Sequence, residues 1–220
     1  LATNAGGIKA VRYGVTRNQV YAVQIVTPYG DIVDLGSPLK KCSTGYCMEQ
    51  LVIGSEGTLG IITQVTLKLQ PLPPYKIDML AIFHDQMAAI GVVPQLVKAG
   101  IDPTSIEYMD NPNVRTTSEY LEFPGAPHIE DGIYVIITIE TFNEDELDMK
   151  MEQASDICEA AGAVDVLEAD ERIWSMRRNC LESVSLISKV CTTDDVVVPV
   201  DEMSDMIQYI IKTVAKYPFP

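Results

Sequence analysis

The chain has 220 residues and a mass of 24.2 kDa, with 47% apolar and 21% charged residues. That balance belongs to a globular protein with a sizeable core and excludes a disordered one. A net charge of −15 argues against nucleic acid as a partner, which would require a basic face, and runs such as Met79 to Phe83 or Ile133 to Ile137 fall far short of the ~18 apolar residues of a membrane span.

The acidity is uneven. Residues 1 to 74 hold six Lys/Arg against four Asp/Glu, and residues 75 to 220 hold ten against 27. The change falls on Gln70-Pro71-Leu72-Pro73-Pro74, so two domains are expected, 1–74 and 75–220. Five cysteines (42, 47, 158, 180 and 191) are an odd number in a chain too long for a small disulfide scaffold, which suits a reducing cytoplasm. Cys42 and Cys47 lack the second close pair that a structural zinc site needs.

In chain order, Asn4-Ala5-Gly6-Gly7 comes first. Its adjacent glycines remove both Cβ atoms, and Asn4 can donate as well as accept. A strand-turn-strand unit follows, Ala22 to Val26, Tyr29-Gly30-Asp31 and Ile32 to Asp34. A short helix is expected near Met48 to Ile53, ahead of Gly54-Ser55-Glu56-Gly57-Thr58-Leu59-Gly60. Glycines at every third position let several amides face one acceptor; alone, such a loop more often reads as a turn feeding the β-branched strand Ile61 to Leu69.

Past the prolines, strand Ile77 to Phe83, helix Gln86 to Ala99, strand Ser105 to Met109, a helix near Asn113 to Leu121 and strand Ile133 to Thr141 are expected. Helix Glu144 to Ala161 opens on three acids that suit a helix N-terminus. Strand Val164 to Leu167, helix Asp170 to Ile187, strand Val196 to Val200 and helix Glu202 to Ala215, capped by Asp201, complete the series. The fold class is α+β, an open-faced sandwich with an antiparallel look.

The order ATNAGG, VRYG, the strand-turn-strand unit, LKKCSTGY and QLVIGSEGTLGIIT, then a Pro-rich exit, resembles the FAD-linked oxidases of the vanillyl-alcohol-oxidase and p-cresol-methylhydroxylase type. The likeness is greatest to the branch holding D-lactate dehydrogenase, the glycolate oxidase D subunit and D-2-hydroxyglutarate dehydrogenase. It implies the C-terminal part of an FAD-binding domain followed by a substrate (cap) domain with an antiparallel sheet flanked by helices. It also implies an internal segment of a longer enzyme, inactive by itself. The family's pyrophosphate-gripping glycine loop has no counterpart before Leu1, and its HGHxGDGNxH-like region, with the catalytic base and metal ligands, would lie beyond residue 220. His84 and His128, in unrelated sequence contexts, are not expected to replace it, and no metal ligand is expected in this chain.

The residues that the resemblance places at FAD are Asn4, Ala5, Gly6, Gly7, Gly54, Ser55, Glu56, Gly57, Thr58, Gly60, Ile61 and Ile62. The Glu56 carboxylate, unfavourable beside a phosphate, is expected to turn toward backbone amides or a ribose hydroxyl, or to be purely structural. Trp174-Ser175-Met176-Arg177 resembles the family's W-x-x-R motif, whose arginine faces the substrate carboxylate. A guanidinium fork fits that group with two parallel hydrogen bonds, although an arginine on such a helix is otherwise usually solvated.

The implied reaction is oxidation of a D-2-hydroxy acid to the 2-oxo acid. Where the D-2-hydroxyglutarate branch carries threonine and lysine, this chain has Leu181 and Thr193, which favours lactate or glycolate over 2-hydroxyglutarate; Lys189 stands close enough in sequence to compensate. An external acceptor is expected, an electron-transferring flavoprotein, an iron–sulfur subunit or a quinone, and a homo-oligomer. The competing reading is a non-catalytic regulatory or assembly module whose glycine loops are simple turns.

Overall fold

The computed structural model describes residues 1–217; the last three positions of the expected second domain lie outside the described residues. The chain divides into two compact units, Leu1–Leu72 and Pro73–Pro220.

The first unit contains α1 (Ala10–Tyr13), a 3-10 turn at Thr16–Gln19, β1 (Val20–Val26), β2 (Ile32–Gly36), α2 (Met48–Val52) and β3 (Ile61–Leu67). Its sheet runs β2-β1-β3, antiparallel throughout. The β1–β2 turn depends on Gly30 at φ 88, a left-handed value that glycine adopts without a steric penalty. Val20, Val23 and Ile25 of β1 pack with Val52 and Ile53 as a small core.

The second unit contains β4 (Tyr75–Phe83), α3 (Gln86–Lys98), β5 (Ser105–Met109), α4 (Asn111–Tyr120), β6 (Ile133–Thr141), α5 (Glu144–Ala160) and β7 (Asp165–Glu168). After these come α6 (Glu171–Arg178), α7 (Cys180–Ser183), 3-10 turns at Val184–Leu186 and Val200–Glu202, and α8 (Met203–Val214). The antiparallel sheet has the order β5-β6-β4-β7.

Every residue of β6 is buried, because both of its alternating sets are apolar. Ile133, Val135, Ile137 and Ile139 join Met79, Ala81 and Phe83 of β4 in one cluster, under α3 and α5. Tyr134 and Ile136 join Leu80 and Ile82 in another, with Val114 of α4 and Ile173, Trp174 and Met176 of α6. Successive strand side chains point to opposite faces, so both faces are covered. The open face expected from the sequence is therefore corrected: two apolar faces require two helix layers.

Three further expectations are corrected. The helix over Asp170 to Ile187 is broken at Asn179, which leaves helical dihedrals at φ −99, ψ 13 and donates its side-chain amide to Ser175 O at 2.8 Å. Val196 to Val200 forms no strand among the described residues: Val197 is 89% exposed, and a β-branched run becomes a strand only when a neighbour supplies the ladder. Asp201 lies inside the second 3-10 turn, and α8 starts from Glu202 with no side-chain cap. By contrast Asp85, Asp110, Asn143 and Asp170 each cap a helix through a side-chain oxygen, satisfying amides the helix itself leaves unpaired.

Candidate functional site

In the first unit the two glycine segments are joined along their backbones. Gly54 N donates to Leu1 O at 3.1 Å and Glu56 N to Ala2 O at 2.9 Å. Gly54 sits at φ 88, and a Cβ there would meet Asn4 Cβ at 3.2 Å and Arg17 Nη2 at 3.1 Å, so this contact between segments requires glycine. Gly60, at φ 153, has Val26 O only 2.7 Å from the position of a Cβ.

Three amides, those of Gly6, Gly7 and Gly57, make no hydrogen bond within the chain among the described residues. Open space lies where a Cβ would stand at Gly7 and Gly57. Free amides on exposed, Cβ-less backbone form a cradle for an anionic or carbonyl acceptor.

Arg17, which the sequence reading did not single out, ties the cradle together. Its amide donates to Asn4 Oδ1 at 3.0 Å and its Nη2 to Ile53 O at 2.9 Å, so one residue anchors the turn of each segment. Its Nε is buried without a partner, a donor whose unmade bond costs about 1–3 kcal/mol. Asn4 is at φ 50, and its side-chain oxygen is committed to Arg17. Thr16 holds Ala5 O through both N and Oγ1, at 3.0 and 2.7 Å.

The other expected FAD residues fall on the same stretch. Thr58 Oγ1 closes the loop onto Ser55 O at 2.6 Å, Ile61 is exposed at the start of β3, and Ile62 packs on the small core. Glu56 is at φ 50 with an exposed side chain that reaches no amide among the described residues.

In the second unit Arg177, near the end of α6, is half-buried and engaged. Its Nε and Nη2 reach Glu107 Oε2 on β5 at 2.7 and 2.6 Å. Burial raises the Glu107 carboxyl above its ordinary 4.5, against the pull of Arg177. The neighbouring Cys180 thiol is also raised by burial, with Arg177 opposing. The indole Nε1 of Trp174 is buried without a partner. Arg178 instead pairs with Glu171 at the surface. Leu181, beyond the break at Asn179, is 52% exposed, and Lys189 and Thr193 are exposed on the irregular run that follows.

The sequence separates His84 and His128, but the structure brings them together, their ring centroids 5.8 Å apart. Their contexts are adjacent because β4 and β6 pair antiparallel with Phe83 opposite Ile133. Among the described residues no helix is long and apolar enough to cross a membrane.

The antiparallel sheet flanked by helices is the fold of the C-terminal domain of FAD-linked oxidases. The model of the family "FAD linked oxidases, C-terminal domain" matches residues 72–220, and the chain belongs to that family. It is 38% identical over 218 residues to D-lactate dehydrogenase of Anaerostipes hadrus, across 95% of this chain and 46% of that protein. It is 33% identical to glycolate oxidase subunit GlcD of Bacillus subtilis, across 97% and 46% respectively. The chain therefore spans about half the length of these curated relatives. The fold also matches solved alkyldihydroxyacetonephosphate synthase, with a TM-score of 0.64 over 85% of this chain and 36% of that one, at 22% identity.

Proposed function

We propose that this chain is part of an FAD-dependent dehydrogenase that oxidises a D-2-hydroxy acid of the lactate or glycolate type to the 2-oxo acid. The observation that carries the reading is the joining of the two glycine segments, with the amides of Gly6, Gly7 and Gly57 left free. A regulatory module has no use for such a cradle. Residues 1–74 are the C-terminal part of the FAD-binding domain and residues 75–220 the cap domain. The similarity to D-lactate dehydrogenase and a glycolate oxidase subunit supports the substrate class.

FAD, when bound, supplies the acceptor for the hydride equivalent leaving the substrate's C2. The chain's own groups bind and orient. The free glycine amides would meet acceptors on the cofactor, with Arg17, Asn4 and Thr16 fixing the backbone that presents them. Arg177 holds the substrate carboxylate. Since Glu107 already occupies Nε and Nη2, an incoming carboxylate either takes the remaining Nη1 edge or displaces Glu107. Leu181 and Thr193 offer no charge to a second carboxylate, which disfavours 2-hydroxyglutarate. Electrons then pass to an external acceptor, an electron-transferring flavoprotein, an iron–sulfur subunit or a quinone, in a cytoplasmic homo-oligomer; five free cysteines suit a reducing compartment.

The test is kcat/KM of the full-length enzyme for D-lactate, glycolate and D-2-hydroxyglutarate. An unpaired second carboxylate forfeits a charged hydrogen bond of about 1.5–3 kcal/mol, so one of the monoacids should lead by roughly 10- to 100-fold. A strong preference for the diacid would overturn the assignment.

A further inference from the structure

We propose that His84, His128 and Asp131 form a binding site for a divalent transition-metal ion of the zinc, cobalt or nickel kind. These are the chain's only two histidines. One ligand atom from each of the three residues lies within 4.8 Å of the other two. His84 Nε2 stands 3.4 Å from Asp131 Oδ1. Two ligands of one tetrahedral zinc, each about 2.0–2.2 Å from the metal, are themselves separated by roughly 3.4 Å, so that pair already has the required spacing. Asp165 Oδ2, 3.5 Å from His128 Nε2, is placed to orient that ring.

The supports are rigid. His84 directly follows β4, a central strand, and Asp165 opens β7 beside it, opposite Ile82. His128 and Asp131 belong to the loop that enters β6. That loop is fastened by Asn111 Nδ2, which donates to Ile129 O and Gly132 O at 3.1 Å each. Gly132 N donates to His128 O at 2.6 Å, and Tyr134 OH donates to Pro127 O. Gly132 is required there, since a Cβ would stand 2.6 Å from His128 O. His128 itself is held at φ 47, a left-handed conformation that costs a side-chain-bearing residue of the order of 1 kcal/mol or more and persists where the surroundings impose it.

Two imidazoles and a carboxylate are the donors that zinc, cobalt and nickel prefer, and magnesium and calcium do not. The ion would staple the adjoining ends of β4 and β6. All of its ligands are in the second unit, so the site is independent of the flavin cradle and of the substrate assignment.

The test is proton NMR of the full chain titrated with Co²⁺, reading the ring signals of the two histidines, together with calorimetric titration by Zn²⁺. Both imidazoles should respond together and saturate at one equivalent. His84→Gln and His128→Gln, both exposed substitutions, should each weaken Zn²⁺ binding at least about tenfold, the loss that removal of even an outer partner causes at a metal site. Zinc should also raise the melting temperature of the wild-type chain and not of the variants. One ring responding alone, neither responding in excess Co²⁺, or Zn²⁺ binding that survives both substitutions through cysteine would each overturn the site and leave simple His–Asp pairs. The Co²⁺ reading on the wild-type chain stands even if a variant fails to fold.

Discussion

Glu107 carries a pH signature beside the proposed substrate arginine. Burial raises its carboxyl above 4.5 despite Arg177, so between 4.5 and that higher value the native state holds more protons than the unfolded one. Stability must then fall as pH rises through that window. Glu107→Gln removes the titration, and the wild-type unfolding midpoint should decline relative to the variant as pH increases from 4.5. A wild type that gains on the variant over the same range would contradict the sign. Cys158 gives a second residue-scale expectation. Burial foremost, with Glu159 adding, pushes its thiol up to about 12, leaving almost no thiolate at neutral pH. A thiol reagent should modify the exposed Cys42, Cys47 and Cys191 quickly and reach Cys158 only on unfolding; fast labelling of Cys158 in the native chain would show that the α5 face is not packed as described.

Residue roles were legible where they reside in backbone chemistry. The glycines of the two segments announce themselves by spacing, and Gly54 and Gly60 are confined by neighbours that tolerate no Cβ. Arg17 was not legible, because its contribution is two contacts with groups distant in sequence, Asn4 and Ile53. The meeting of His84 with His128 was hidden for the same reason: it follows from the β4–β6 register.

At the scale of elements, β6 governs the second unit. Its nine buried residues serve both helix layers, so a cavity opened in it reaches the α4–α6 side or the α3–α5 side according to parity. Ile136→Ala should cost about 2–5 kcal/mol, read as a fall in the denaturant midpoint at unchanged slope; a loss under about 1 kcal/mol would mean that this face repacks freely. The strands Ile77 to Phe83 and Ile133 to Thr141 and the helices Gln86 to Ala99 and Glu144 to Ala161 were readable in the sequence, since local pattern and tertiary burial agree there. The failures fall where they disagree. Asn179 interrupts a helical pattern by binding its own backbone at Ser175, and Val196 to Val198 has strand composition without a strand partner.

Taken whole, the molecule joins two units of different character. The first has a small core around β1 and leaves Ile61, Leu67 and Leu69 more than half exposed. The second has two clusters on either side of one sheet. The account predicts that binding and chemistry divide between them, with the glycine cradle holding the flavin and Arg177 the acid. The most direct test is anaerobic titration of the flavin-loaded full-length protein with D-lactate, glycolate and D-2-hydroxyglutarate, following the visible flavin band. Bleaching by D-lactate or glycolate at stoichiometric amounts is the predicted result. A protein that takes up no flavin, or whose flavin none of the three acids reduces, would contradict it.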